Sequence, residues 1–186
     1  MPDFKEEKTL VVIKPDGVKR GLVGEIISRL EKVGLKIIAM KAVRIEEGVA
    51  LKHYGYNEEW FEKVGAKVKD FYVRVGFDPG EDFNKLSHKE IGKLIQKWNV
   101  DFLTEGIVVA VILKGFNAVE VVRKIVGSTY PNEASPGTIR GDYSAESPLV
   151  ANLAQKAVRN LIHASGSSDE AKTEIELWFK ESEIYE

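Results

Sequence analysis

The chain has 186 residues, 27 basic against 29 acidic, a net charge of −2 and no cysteine. The length suits one domain of about 100–200 residues; the missing cysteines exclude a disulfide framework and thiolate chemistry, and the near-balanced charge argues against a dedicated nucleic-acid binder. With 44% apolar and 30% charged residues, no apolar run of the ~18 residues a membrane span needs, and a start, MPDFKEEKTL, too acidic for a signal peptide, the expectation is a folded cytoplasmic protein with no membrane attachment.

Residues 9–13 are short, apolar and β-branched and run into Lys14-Pro15-Asp16-Gly17, which predicts a buried strand ending in a turn. From 22 to 33, Val23, Ile26, Ile27, Leu30 and Val33 recur at helical spacing, and Gly34 suits the helix end. A second strand is predicted over 35–43. Further on, Ser87-His88-Lys89-Glu90 has capping-box spacing ahead of an apolar stripe of Ile91, Leu94, Ile95 and Trp98. Residues 107–113 read as the clearest buried strand, and Asn117 to Glu120 opens a helix closed by Gly127. The stretch 128–147 is rich in turn formers. Ser147-Pro148 reads as an N-cap followed by proline in the first turn, and Ser167 caps a last helix running to about Phe179. Strands alternating with helices predict a compact α/β sandwich in which antiparallel pairing is open, forming one domain over 1–186.

The common nucleotide motifs are absent. No G-x-x-x-x-G-K-[ST] and no G-x-G-x-x-G after a strand occurs, nor a G-x-S-x-G elbow. His53, His88 and His163 lie far apart without metal-ligand spacing, so no protein-held metal is expected. The informative constellation is dispersed. Lys14 leaves the first strand directly into a turn, Arg123 sits on a predicted helix, and Thr129 and Arg140 lie in or beside the turn-rich run that contains Pro136-Gly-Thr-Ile-Arg-Gly-Asp142. Two guanidiniums, an ammonium and a hydroxyl are the donors a polyphosphate needs, although each alone reads as a solvated surface group. His163, in Asn160-Leu-Ile-His163-Ala-Ser165, reads by itself as a strand-end histidine bonded to a backbone carbonyl. Small neighbours leave its ring accessible, however, and Asp169, Glu170 and Glu174 follow on the next helix, any of which could fix its tautomer. A neutral imidazole is a good nucleophile near pH 7.

Taken together, Ile13-Lys-Pro-Asp-Gly-Val18, Arg20-Gly-Leu-Val-Gly-Glu25, His53-Tyr54, Gly106-Ile-Val-Val109, Pro136–Asp142, Asn160–His163 and Glu174-Ile-Glu-Leu-Trp-Phe179 resemble the nucleoside diphosphate kinase family. The resemblance implies a ferredoxin-like βαββαβ sandwich with an antiparallel sheet, and a ping-pong exchange of a phosphoryl group between nucleoside triphosphates and diphosphates. It implies His163 as nucleophile, Lys14 with Tyr54 beside it at the transferring phosphoryl, and Arg123, Thr129 and Arg140 on the distal phosphates. By the same resemblance Asn160 bonds the sugar, Phe61 stacks on the base, and Glu174 orients the imidazole with support from Ser165. Mg2+ is implied as an ion bound with the nucleotide, and a homo-oligomer that requires no nucleic acid as the working form.

Three departures from the family pattern stand out. Gly166 holds a position where the family carries an aspartate that braces the turn-rich loop. Residues 64–105 and 144–157 are longer than the matching family segments. The first of these insertions carries Phe71, Tyr72, Val73 and Phe77 besides the capped stripe, so it is expected to fold, with a structural role only.

Overall fold

An uninterrupted aliphatic run is stable where both faces of its sheet are covered, and the first strand occupies such a place. The computed structural model describes residues 6–185; residues 1–5, which carry half of the acidic start, and residue 186 lie outside the described residues. Strand β1 (Glu7–Ile13) pairs antiparallel with β3 (Val108–Gly115) on one side and with β4 (Ile162–Ala164) on the other. Strand β2 (Lys36–Val43) pairs antiparallel with the far edge of β3, giving the order β2-β3-β1-β4. This is the expected antiparallel, ferredoxin-like sheet with extra helices.

Helices α1 (Pro15–Lys19) and α2 (Val23–Glu31) follow β1. Between β2 and β3 lie α3 (Glu47–His53), α4 (Glu58–Val75), α5 (Glu81–Asn84) and α6 (His88–Thr104). Between β3 and β4 lie α7 (Ala118–Val126), α8 (Ile139–Tyr143) and α9 (Pro148–Leu153), and α10 (Ser168–Trp178) comes last. The turn expected after β1 is in fact the first turn of α1. Pro15 stands at its start, where a missing N–H costs nothing. No helix among the described residues is long and apolar enough to cross a membrane.

Alternation along β1 sends Leu10 and Val12 to one face and Val11 and Ile13 to the other. The first face is covered by residues of α3, α6 and α10, including Ala50, Leu103 and Trp178; the second by residues of α2, α7 and α8, including Leu30, Val122 and Ile139. Each such side chain, once fully buried, contributes about 1.5–3 kcal/mol.

The insertion at 64–105 does fold. It supplies most of α4 and all of α5 and α6, and these helices bury Val68, Tyr72, Phe83 and Ile91 in one cluster. The helices approach backbone to backbone at Gly65 against His88 and at Gly92 against Phe61, where any Cβ would collide. The expected capping box at Ser87 and Glu90 starts α6. The second insertion holds α9, capped by Ser147, and the Tyr72 hydroxyl ties it to α4 by donating to the Asn152 carbonyl at 2.7 Å.

Candidate active site

The site forms where β1 and β4 run side by side. Leu161, just before β4, is fully buried and takes φ +68°, a conformation that costs a non-glycine residue about 1–3 kcal/mol. The start of α1 holds it there. The Lys14 amide donates to the Leu161 carbonyl at 2.8 Å, and the Leu161 amide donates to Asp16 Oδ2 at 3.1 Å. Gly17 is required beside it, since a Cβ would lie 2.9 Å from Ile13 Cγ2 and 3.0 Å from the Leu161 oxygen. The Lys-Pro-Asp-Gly motif thus fixes the strand that carries His163.

Lys14 is buried, and its Nζ donates to Asn160 Oδ1 at 2.9 Å. Burial first, then the Arg140 charge, push its pKa down to about 7, against a smaller opposing effect of Asp16. Tyr54 lies beside it, with Lys14 Nζ 6.0 Å from the ring centre. The Tyr54 hydroxyl is buried without a hydrogen-bond partner among the described residues, and burial raises its pKa. Asn160 also donates from Nδ2 to the Thr129 carbonyl at 2.9 Å, tying the turn-rich segment to β4.

His163 Nε2 lies 2.7 Å from Glu174 Oε1, although the direction falls short of a formal hydrogen bond. Glu174 is buried on α10, and Ser165 Oγ donates to its other oxygen at 2.6 Å. Burial, then Lys14, Arg140 and Arg123, drive the His163 pKa down to about 3, so the ring is neutral at pH 7. Of the three acids the sequence offered, Glu174 is the one brought to the imidazole. Glu170 instead accepts from the Gly166 amide at 2.9 Å and fills the space a side chain at 166 would need. His53 is packed against the same group: its Nδ1 lies 3.5 Å from Glu174 Oε1, and its ring centre lies 4.3 Å from that of His163. The donor atoms of His53, His163 and Glu174 all fall within 4.8 Å, close enough to share a metal ion.

Two adjoining cavities share Lys14, Thr129 and Asn160. The smaller, about 370 Å³, is lined also by Arg123, Arg140 and His163 and by no carboxylate. Arg123 makes no hydrogen bond or ion pair among the described residues. Arg140 spends four of its five N–H groups on backbone carbonyls, those of Gly127, Ser128, Asn160 and Ile162. It braces the cavity wall as well as charging it. The turn-rich loop is pinned by Arg29, which reaches Asp142 at 2.6 Å, and by Asp142 accepting from the Gly137 amide at 2.7 Å.

The larger cavity, about 770 Å³, runs between α4, α6 and the segment 147–158. Trp60 lines it, stacked at 3.5 Å on Tyr56, with Ala157 and Val158 among the other lining residues. Phe61 does not line it; that ring is buried. The aromatic ring that faces this cavity is instead that of the neighbouring residue, Trp60, because consecutive helical positions point about 100° apart. The segment 64–105 also lines the cavity, through Lys67, Trp98 and Asn99 among others.

The family model described as "Nucleoside diphosphate kinase" matches residues 7–72 and 60–184. A nucleoside diphosphate kinase of Pyrobaculum aerophilum is 48% identical over 97% of this chain and 98% of its own, and one of Pyrococcus furiosus is 43% identical over 97% and 87%. A crystal structure of an NDP kinase from Pyrobaculum aerophilum superimposes with a TM-score of 0.90 at 46% identity, covering 98% of this chain and 100% of that one. A Borrelia burgdorferi nucleoside-diphosphate kinase, described as a transition-state mimic with bound vanadate and ADP, gives 0.77 at 35% identity, covering 97% and 91%. With matches along nearly its whole length, the chain belongs to the nucleoside diphosphate kinase family and is a nucleotide-binding phosphotransferase.

Proposed function

We propose that the enzyme works by ping-pong transfer through phosphohistidine at His163. The contact that carries this reading is His163 Nε2 on Glu174 Oε1 at 2.7 Å, beside a cavity lined with cations. With Nε2 turned to the carboxylate, Nδ1 is the nitrogen left to attack. Its lone pair bonds the γ-phosphorus of a triphosphate, the bridging P–O bond breaks, and the diphosphate leaves with the electrons. A terminal oxygen of a second diphosphate then attacks the same phosphorus and the P–N bond breaks. Glu174 stabilises the positive charge that grows on the ring while Nδ1 is bonded. Lys14 and Arg123 neutralise the phosphoryl oxygens, Thr129 and the remaining N–H of Arg140 add donors, and Asn160 meets the sugar. The free hydroxyl of Tyr54 serves the transferring group.

The base is assigned to the face of Trp60 turned from Tyr56, opposite Ala157 and Val158. The relative described with bound vanadate and ADP supports a nucleotide as the ligand. Mg2+ prefers hard oxygen ligands and the smaller cavity offers no carboxylate, so the ion enters on the triphosphate as part of the substrate. A single domain assembled as a homo-oligomer in the cytoplasm, independent of nucleic acid and membrane, completes the proposal.

The test uses ATP labelled at the γ-phosphate. The enzyme should form an acid-labile, alkali-stable phosphoprotein and give parallel double-reciprocal lines with several diphosphates. His163→Ala should remove the label while the protein stays folded. Intersecting lines, or label retained in that variant, would overturn the mechanism.

A further inference from the structure

One buried titratable side chain at the site has no part in the steps above. His53, at the end of α3, has no exposed side-chain surface. Its Nδ1 accepts a hydrogen bond from Trp178 Nε1 at 3.2 Å. A ring nitrogen that accepts is unprotonated, so the proton of the neutral ring is on Nε2, an atom buried without a partner among the described residues. Trp178 belongs to α10, the helix that also carries Glu174. His53 therefore joins α3 to α10 directly beside the nucleophile. Its ring stands at 79° to that of His163, 4.3 Å away between centres.

We infer that His53 is a positioning residue for His163: its ring forms the wall that keeps Nε2 of the nucleophile on Glu174 and Nδ1 toward the phosphates. The inference rests on the reading of His163 as nucleophile. An imidazole turns about its Cβ–Cγ bond, and a half-turn would exchange Nδ1 with a carbon. The perpendicular His53 ring, 4.3 Å away between centres, stands against that turn. Glu174 alone does not block it, because its contact to Nε2 is short but badly directed. The wall has to be uncharged, since a cation there would compete with His163 for Glu174. Burial and the nearby His163 hold His53 neutral, with a pKa near 3 against a smaller opposing effect of Glu174. The Trp178 bond fixes the tautomer that keeps the Nδ1 lone pair directed at the indole N–H.

Two substitutions separate the wall from the helix tie. His53→Asn keeps an acceptor where Nδ1 stands but loses the ring. His53→Phe keeps the ring and leaves Trp178 without an acceptor. The expected result is a drop of about tenfold to a hundredfold in the rate of phosphoenzyme formation for His53→Asn, the scale of a misaligned attack, with KM unchanged. His53→Phe should melt lower yet react within a few-fold of the parent. Nitrogen-15 NMR of His163 should show one ring tautomer in the parent and in His53→Phe, and a mixture in His53→Asn. Rates that follow melting temperature across the variants, or a full rate in His53→Asn, would overturn the inference. His163→Ala run alongside keeps the two readings apart: label surviving in that variant removes the nucleophile assignment itself.

Discussion

Lys14 brings an ammonium into a buried place before any phosphate arrives, and burial lowers its pKa from 10.5 to about 7. In the free enzyme kcat/KM should therefore fall as pH rises above about 7, because the side chain loses the charge that meets the substrate. A bound triphosphate favours the charged form, so the falling limb of kcat should lie at higher pH. Stability follows the opposite course. The unfolded chain binds the extra proton between pH 7 and 10.5, so the contribution of Lys14 to stability rises with pH through that window and is lost as pH falls through 7. Denaturant titrations of the parent and Lys14→Met across pH 6–10 check both the sign and the window. Trp60 and Phe61 offer a second test. Trp60→Ala should raise KM about tenfold, since base–aromatic stacking contributes ~1–3 kcal/mol, with little change in melting. Phe61→Ala should instead cost ~3–5 kcal/mol of stability. Steady-state kinetics and melting curves separate the two, and a reversed pattern would return the base to Phe61. Lys14, Thr129, Asn160 and His163, which line the smaller cavity, and Glu174 beside the imidazole were legible as candidates through short blocks and the family resemblance that those blocks carry. Trp60 was not, since a pair of adjacent aromatics on a helix does not reveal which one faces the core.

At the scale of elements, the hairpin of α4 and α6 contributes to the cleft as well as to its own packing. Trp60, Val64, Lys67, Val68, Phe71 and Arg74 form one face of α4 along the larger cavity, a stripe of roughly 21 Å at 1.5 Å per residue. Replacing residues 66–99 by a short linker should lower the melting temperature. It should also raise KM for nucleotides several-fold, because Lys67, Trp98 and Asn99 leave the cavity with it. The phosphoenzyme should still form, since none of the groups assigned to the transfer lies in that stretch. A trimmed, folded enzyme with unchanged KM would confine the hairpin to packing. Of the helices in this segment, α6 was readable from the Ser87 capping box and the stripe of Ile91, Leu94, Ile95 and Trp98, whereas α4 and α5 were not predicted. Their docking was not. The bond from Tyr72 to Asn152 joins residues 80 positions apart, and local periodicity carries no information over that distance.

For the molecule as a whole, the sheet order decides when an active site can exist. β1 lies between β3 and β4 and is fully buried from Thr9 to Ile13, yet β3 begins roughly 95 residues after β1 ends. A ribosome adding about 5–20 residues per second needs on the order of 5–20 s to supply that partner. During this interval the nascent strand has neither sheet neighbour, and its aliphatic side chains offer an adhesive segment to other chains or to a chaperone. His163 and Glu174 emerge later still, so Lys14 waits through most of translation before the other residues of its cavity exist. Early termination would therefore leave a sticky fragment with no catalytic capacity, and quality control of this enzyme begins with its first strand.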